Sequence, residues 1–189
     1  INAMITPSVS ITSSASEAVC AGTEIKFTTT DKNGGTSPTY QWKINGHNTG
    51  QNNSVFASEQ MNSGDVVICV LTSNANCLSQ NNVSSNSVSV KVNPLVTPSV
   101  SISASPSEKI CEHAEVKFNA QVTNSGTGPV FQWKKNGIAT GVNSVSYSDF
   151  ALNNFDEIRC VLTSNAQCLT TKDAESNVIS MKVNPVLTP

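Results

Sequence analysis

The sequence predicts an all-β chain built as two tandem β-sandwich domains. Short stretches of alternating apolar and polar residues recur along it, and none has a helical period of convincing length. Clusters rich in Gly, Asn and Pro separate these stretches. The whole pattern also occurs twice. Cys20 and Cys111, Trp42 and Trp133, Cys69 and Cys160, and Asn93 and Asn184 are each 91 positions apart, with no gap needed. Two copies of one pattern must share one fold, so the domains are expected at 1–94 and 95–189. About seven short strands in about 90 residues reads as a β-sandwich.

Ser8-Val-Ser-Ile11 alternates and predicts a first strand, followed by a polar loop from Ser13 to Glu17. A second strand is expected over Cys20 to Thr30, with Ile25 and Phe27 on one face and Glu24 and Lys26 on the other. Asp31 to Pro38 is a loop. Tyr40-Gln-Trp-Lys-Ile44 alternates again, placing Tyr40 and Trp42 inward. Asn45-Gly46 fits a type I′ hairpin turn, which needs positive φ at both central residues. Ser54 to Glu59 is a weaker strand, and Asn62 to Asp65 turns the chain into the next one. That stretch, Asp65 to Cys77, returns as Asp156 to Cys168, each containing Cys-Val-Leu-Thr-Ser-Asn-Ala-x-Cys. The first copy is apolar on both faces, but the second carries Glu157 and Arg159, which assigns the inward row to Ile158, Cys160 and Leu162. By position the first-copy row is Val67, Cys69 and Leu71. Asn74 to Ser85 reads as a long polar loop, and Ser87 to Val92 as the last strand. Phe27, Trp42 and Leu71, with Phe118, Trp133 and Leu162, are the expected core.

Charged residues make up only 13% of the chain and the net charge is −2. With no basic run, the sequence offers nothing to a nucleic acid or an anionic membrane surface. No apolar run approaches 18 residues, so no membrane insertion is expected. No leader pattern opens the chain, which places any signal peptide outside these residues. Six cysteines at matched spacings in a Ser/Thr/Asn-rich background point to disulfides, an oxidising compartment and an extracellular or cell-surface location. Buried free thiols in a reducing compartment are the alternative.

Gly22-x-x-Ile25-x-Phe27, Gln41-Trp42-Lys43, Asn45-Gly46 and Asp65-x-Val67-x-Cys69-x-Leu71 together resemble the immunoglobulin-like fold. The nearer resemblance is to bacterial Ig-like repeats of large cell-surface or secreted proteins. The second copy matches with Val116, Phe118, Gln132-Trp133-Lys134, Asn136-Gly137 and Asp156-x-Ile158-x-Cys160-x-Leu162. Antibody-type domains bridge the second and sixth strands by a disulfide. Set against that pattern, Cys69 occupies the place of the sixth-strand Tyr and Leu71 that of its Cys, while the second-strand Cys falls at Thr29 or Ala120. The usual bridge is therefore absent. The resemblance instead implies Cys20–Cys69 and Cys111–Cys160, near one end of each sandwich. A closed loop of about 50 residues would contribute roughly 4 kcal/mol. The rival Cys69–Cys77 closes about nine residues, for roughly 2.6 kcal/mol, and needs a sharp reversal of the chain. Cys77 and Cys168 have no assigned partner.

His47 and His113 have no counterparts, so a site common to both domains cannot use them. The cysteine spacings differ from paired zinc knuckles, and no calcium loop, phosphate loop or nucleophile–base pairing occurs. No catalytic residue, metal or cofactor is expected. Asp65 and Asp156 precede strands, where a carboxylate caps turn amides. Lys26 and Lys117 alternate outward, against an intramolecular isopeptide bond. Most aromatics recur at matched positions and belong to the core. Phe150 and Phe155, which align with Glu59 and Gly64, do not recur and are the candidates for glycan or protein contact.

The linker Asn93-Pro-Leu-Val-Thr-Pro98 holds two prolines and no glycine. It predicts a semi-rigid joint, with Leu95 and Val96 packing between domains, in an elongated array. The first and last residues align with this linker, from which further repeats in a longer chain are expected. The function so implied is a non-catalytic spacer or adhesive stalk, its partners being neighbouring Ig-like repeats and a surface glycan or protein. A carbohydrate- or protein-binding module, or an accessory region of a secreted enzyme, is the alternative.

Overall fold

The computed structural model describes residues 3–50 and 52–185; the end of the last linker, at 186–189, lies outside the described residues. The chain divides into two compact units, Ile1–Pro94 and Leu95–Pro189. Each contains ten short strands and no helix among the described residues.

In the first unit these are β1 (Ser8–Ser13), β2 (Val19–Cys20), β3 (Ile25–Lys32), β4 (Thr39–Ile44) and β5 (His47–Thr49). They continue with β6 (Val55–Ser58), β7 (Val66–Thr72), β8 (Asn82–Ser84), β9 (Val88–Ser89) and β10 (Val92–Asn93). One antiparallel sheet has the order β1-β3-β6; the other runs β5-β4-β7-β8, with β9 also on β7. The second unit repeats this with β11 (Ser99–Ser105), β12 (Lys109–Cys111), β13 (Val116–Thr123), β14 (Val130–Lys135) and β15 (Ile138–Thr140). Then come β16 (Ser146–Asp149), β17 (Glu157–Thr163), β18 (Asp173–Glu175), β19 (Ile179–Ser180) and β20 (Lys182–Asn184).

Alternation along the strands fills the space between the sheets. Val67, Cys69 and Leu71 on β7 are fully buried, as are Ile158, Cys160 and Leu162 on β17. Three rings fill the middle of each core. Phe27 stacks on Phe56 at 6.0 Å between centroids, and Trp42 packs against both. Phe118, Tyr147 and Trp133 repeat the arrangement. Fully burying such a ring contributes roughly 1.5–3 kcal/mol. Asn45 and Gly46 both have positive φ, 51° and 82°, the geometry of the type I′ turn that joins β4 to β5.

Three sequence expectations need correction. The stretch Cys20 to Thr30 is two strands, because the chain turns at Gly22 (φ 83°) between β2 and β3. The last strand is also divided: β9 stays on β7, whereas β10 leaves that sheet and pairs with β2 in parallel. Asn74 to Ser85 is no free loop, since it contains β8 and a parallel bridge from Leu78 to Ile5.

That region also holds an unforeseen link between the sheets. The Asn86 side chain accepts a hydrogen bond from Ile11 N at 2.9 Å and donates one to Ile11 O at 3.1 Å, imitating a strand residue beside β1. Asn177 does the same to Ile102, at 2.8 and 3.1 Å. Just before it, Ser85 Oγ accepts from Cys69 N at 3.0 Å, and Ser176 Oγ from Cys160 N at 2.9 Å. Replacing Asn177 by Ala leaves both main-chain groups of Ile102 without these partners. Chemical denaturation is expected to show a loss of about 1–3 kcal/mol, and the same loss for Asn86→Ala.

Candidate functional site

The repeated carboxylates are tied into the turns. Asp65 and Asp156 each close a clasp between two turns. Asp65 Oδ1 accepts from Asn45 Nδ2 at 2.8 Å and its Oδ2 accepts from Asn62 N at 2.8 Å. Asn45 Oδ1 in turn accepts from Val66 N at 3.0 Å. The β4–β5 turn is thus tied to the turn before β7. Asp156 reproduces the clasp with Asn136, Asn153 and Glu157 N.

The second clasp carries an additional charge. Lys135, which stands where the first unit has Ile44, lies 3.1 Å from both Asp149 and Asp156. Burial works against the Lys135 charge, but hydrogen bonds and attraction from the two carboxylates outweigh it and raise its pKa. Burial likewise works against ionised Asp156; the Asn153 amide, Asn136 and Lys135 overcome it and hold the carboxyl below its ordinary value. Asp65 is held low chiefly by the Asn62 amide, then by Asn45. These carboxylates have structural partners on both oxygens.

The bridges implied by the resemblance are not formed. Cys69, Cys77, Cys111 and Cys160 are free thiols, which rules out Cys20–Cys69, Cys111–Cys160 and the rival Cys69–Cys77. Cys69 faces the core on β7, paired in register with Trp42, whereas the Gly22 turn puts Cys20 on β2, beside Asn93 of β10. That separate pairing of β2 is why the expected geometry fails. Burial pushes the Cys69 and Cys160 thiols up to about 11. Cys77 and Cys111 are exposed. Cys20 and Cys168 are disulfide-bonded, so Cys168 no longer stands with the unassigned cysteines.

Among the aromatics, Phe150 and Phe155 are 60% and 77% exposed. Phe155 has a φ of 68° and His113 a φ of 63°, at positions where the first unit has Gly64 and Gly22. Positive φ is uncommon in bulky residues. Phe150, His113 and Asn153 line a shallow depression of about 280 Å³. His47 and His113 are exposed, and among the described residues no three His, Cys, Asp or Glu side chains gather as a metal site would need. Lys26 is exposed and pairs with Glu24 at 3.2 Å. Leu95 is 50% exposed, while Val96 N bonds Cys168 O at 2.8 Å and Val96 O accepts from Thr170 N at 2.9 Å.

The strand order decides the fold class. Strands β1-β3-β6 oppose β5-β4-β7-β8, with a buried tryptophan on β4 packed beside β7. Both units are immunoglobulin-like sandwiches.

No family model matches the chain, and no curated protein matches it. Among solved structures, fibronectin(III)-like modules of Clostridium thermocellum CbhA are 16% identical over 92% of both chains, with a TM-score of 0.37. Three N-terminal domains of the bacteriophage RB49 highly immunogenic outer capsid protein are 11% identical over 94% of this chain and 59% of that one, at 0.40. The four N-terminal Ig domains of Dscam1 isoform 4.44 are 14% identical over 94% of this chain and 46% of that one, at 0.41. Likenesses of this size carry no functional information.

Two measurements test the site. Asp156 has a lowered folded pKa, so its contribution is complete above the ordinary carboxylate value near 4 and is lost as pH falls through the folded value. Asp156→Asn is therefore expected to cost about 1–3 kcal/mol at pH 7, with the gap to the parent closing in acid, as read by denaturant titration at both pH values. A disulfide-exchange reagent is expected to modify Cys77 and Cys111 in the native protein, and Cys69 and Cys160 only after unfolding.

Proposed function

We propose that the chain serves as a non-catalytic pair of Ig-like modules in the spacer or adhesive stalk of a large bacterial surface or secreted protein. The carrying observation is what the repeated residues do. The ring trio, the Asp–Asn clasp, the Asn86 and Asn177 links and the buried rows all recur, and all are engaged in holding a unit together. These shared side chains serve the fold, which supports a role of spacing for both units. Disulfide-bonded Cys20 and Cys168 suit an oxidising location outside the cell.

One observation favours a second reading, in which the second unit binds a glycan or a protein. Exposed Phe150, and Phe155 held at positive φ where the first unit has a glycine, present apolar rings with no core role. Strain at a solvent-facing ring is the kind of outlier that marks a functional position. Glycan-array binding by the intact chain separates the two. The spacer reading expects no specific signal. A specific signal abolished by Phe150→Ala or Phe155→Ala would replace it with the binding reading.

A further inference from the structure

Each unit carries a cysteine beside the segment through which the chain enters it and another beside the segment through which it leaves. The inlet cysteines are Cys77 and Cys168. Ile5 N donates to Cys77 O at 2.9 Å and Ser79 N to Ile5 O at 2.9 Å; Val96 N and Thr170 N repeat this around Cys168 at 2.8 and 2.9 Å. A hydroxyl pair closes both ladders, Thr6 with Ser79 at 2.9 Å and Thr97 with Thr170 at 2.7 Å. Both inlet cysteines have positive φ, 59° and 57°. The outlet cysteines are Cys20 and Cys111, each in a parallel pair, with Asn93 and Asn184 respectively. Ala21 N bonds Asn93 O at 2.9 Å, and Glu112 N bonds Asn184 O at 3.0 Å.

Local structure is therefore the same at the two members of each type, yet their chemistry differs. One outlet cysteine, Cys20, and one inlet cysteine, Cys168, are disulfide-bonded. The remaining outlet and inlet cysteines, Cys111 and Cys77, are exposed thiols. Their exposure separates them from Cys69 and Cys160, which are buried thiols with pKa values near 11.

We propose that Cys77 and Cys111 are complementary linkage sites for further copies of this repeat: Cys111 of one molecule forms a disulfide with Cys77 of another. The backbone around Cys77 already has the conformation found at bonded Cys168, so linkage requires no refolding of the loop. The pairing is between unlike positions, which makes it head-to-tail and open-ended rather than closed into a two-fold dimer. The oxidant is a small-molecule disulfide of the glutathione class. The Cys111 thiolate displaces one small thiol to give a mixed disulfide. The Cys77 thiolate of the second molecule then attacks the Cys111 sulfur and releases the other small thiol. One S–S bond is consumed and one formed. The two protons and two electrons of the protein thiols end on the two small thiols.

The test uses the whole chain, as Cys77→Ser and Cys111→Ser variants. Each is incubated at high concentration with oxidised and reduced glutathione, alone and as an equimolar mixture. Non-reducing electrophoresis and peptide mapping give the readout. The expected result is a covalent dimer in the mixture, containing a Cys77–Cys111 peptide, with none in either variant alone and a ladder of multimers from the parent. Absence of dimer in the mixture overturns the proposal. So do dimers of comparable abundance in the single variants, since these require like-with-like pairing. Thermal unfolding of each variant in reducing buffer is expected to match the parent, which shows that any loss of linkage comes from the thiol and not from the fold.

Discussion

The indole of Trp42 is the constraint on which the first sandwich depends. A fully buried ring contributes area to the core, but its N–H must find an acceptor or forfeit much of the gain. The acceptor is Asn53 O, at 2.8 Å, in the segment leading to β6 of the opposite sheet. The same loop sends Asn52 Oδ1 to Tyr40 N at 2.6 Å. One ring on β4 therefore fixes where the opposite sheet begins its next strand. Trp133 does likewise, through Ser144 O at 2.9 Å and Asn143 on Phe131 N. The loop residue changes from Asn53 to Ser144 without consequence, because the acceptor is main-chain.

Comparing the two units shows how the core tolerates polar atoms. Tyr40 of the first unit hydrogen-bonds Asp31 at 2.8 Å; its counterpart is Phe131, and the counterpart of Asp31 is Val122. In the second unit the phenol has moved to Tyr147, opposite Phe56, and its partner is Asp149 at 2.6 Å, opposite Ser58. Each hydroxyl comes and goes with its carboxylate. In both cases burial is the first cause raising the tyrosine pKa, followed by the hydrogen bond to the acid. Lys135 extends this logic, since it pairs with both Asp149 and Asp156 where the first unit has neither the lysine nor the extra acid.

The inward row on the sixth strand could be read because Glu157 and Arg159 mark the outer face in one copy and not in the other. Asn45-Gly46 could be read because few dipeptides accept two positive φ values. The Asn86 link was hidden for a physical reason: a side chain imitating a strand residue leaves no alternation in the sequence around it. Ser85-Asn86 and Ser176-Asn177 do recur within otherwise variable polar stretches, and that recurrence was the available signal. The cysteine pairing was not legible, because the resemblance is to domains in which the second strand is continuous. Here a turn at Gly22 diverts β2 to a separate ladder, and strand alternation before a turn says nothing about sulfur geometry after it.

The parallel pairing at the two ends of each unit has a mechanical side. Ile5 is bridged in parallel to Leu78, and β10 runs parallel to β2. Tension directed along these segments would load their hydrogen bonds to the sandwich. Hydrogen bonds across such a ladder resist in shear, several at once, instead of opening singly like a zipper. The segments at which the chain enters and leaves each unit are thus bound to the body of the sandwich in a geometry that resists sliding.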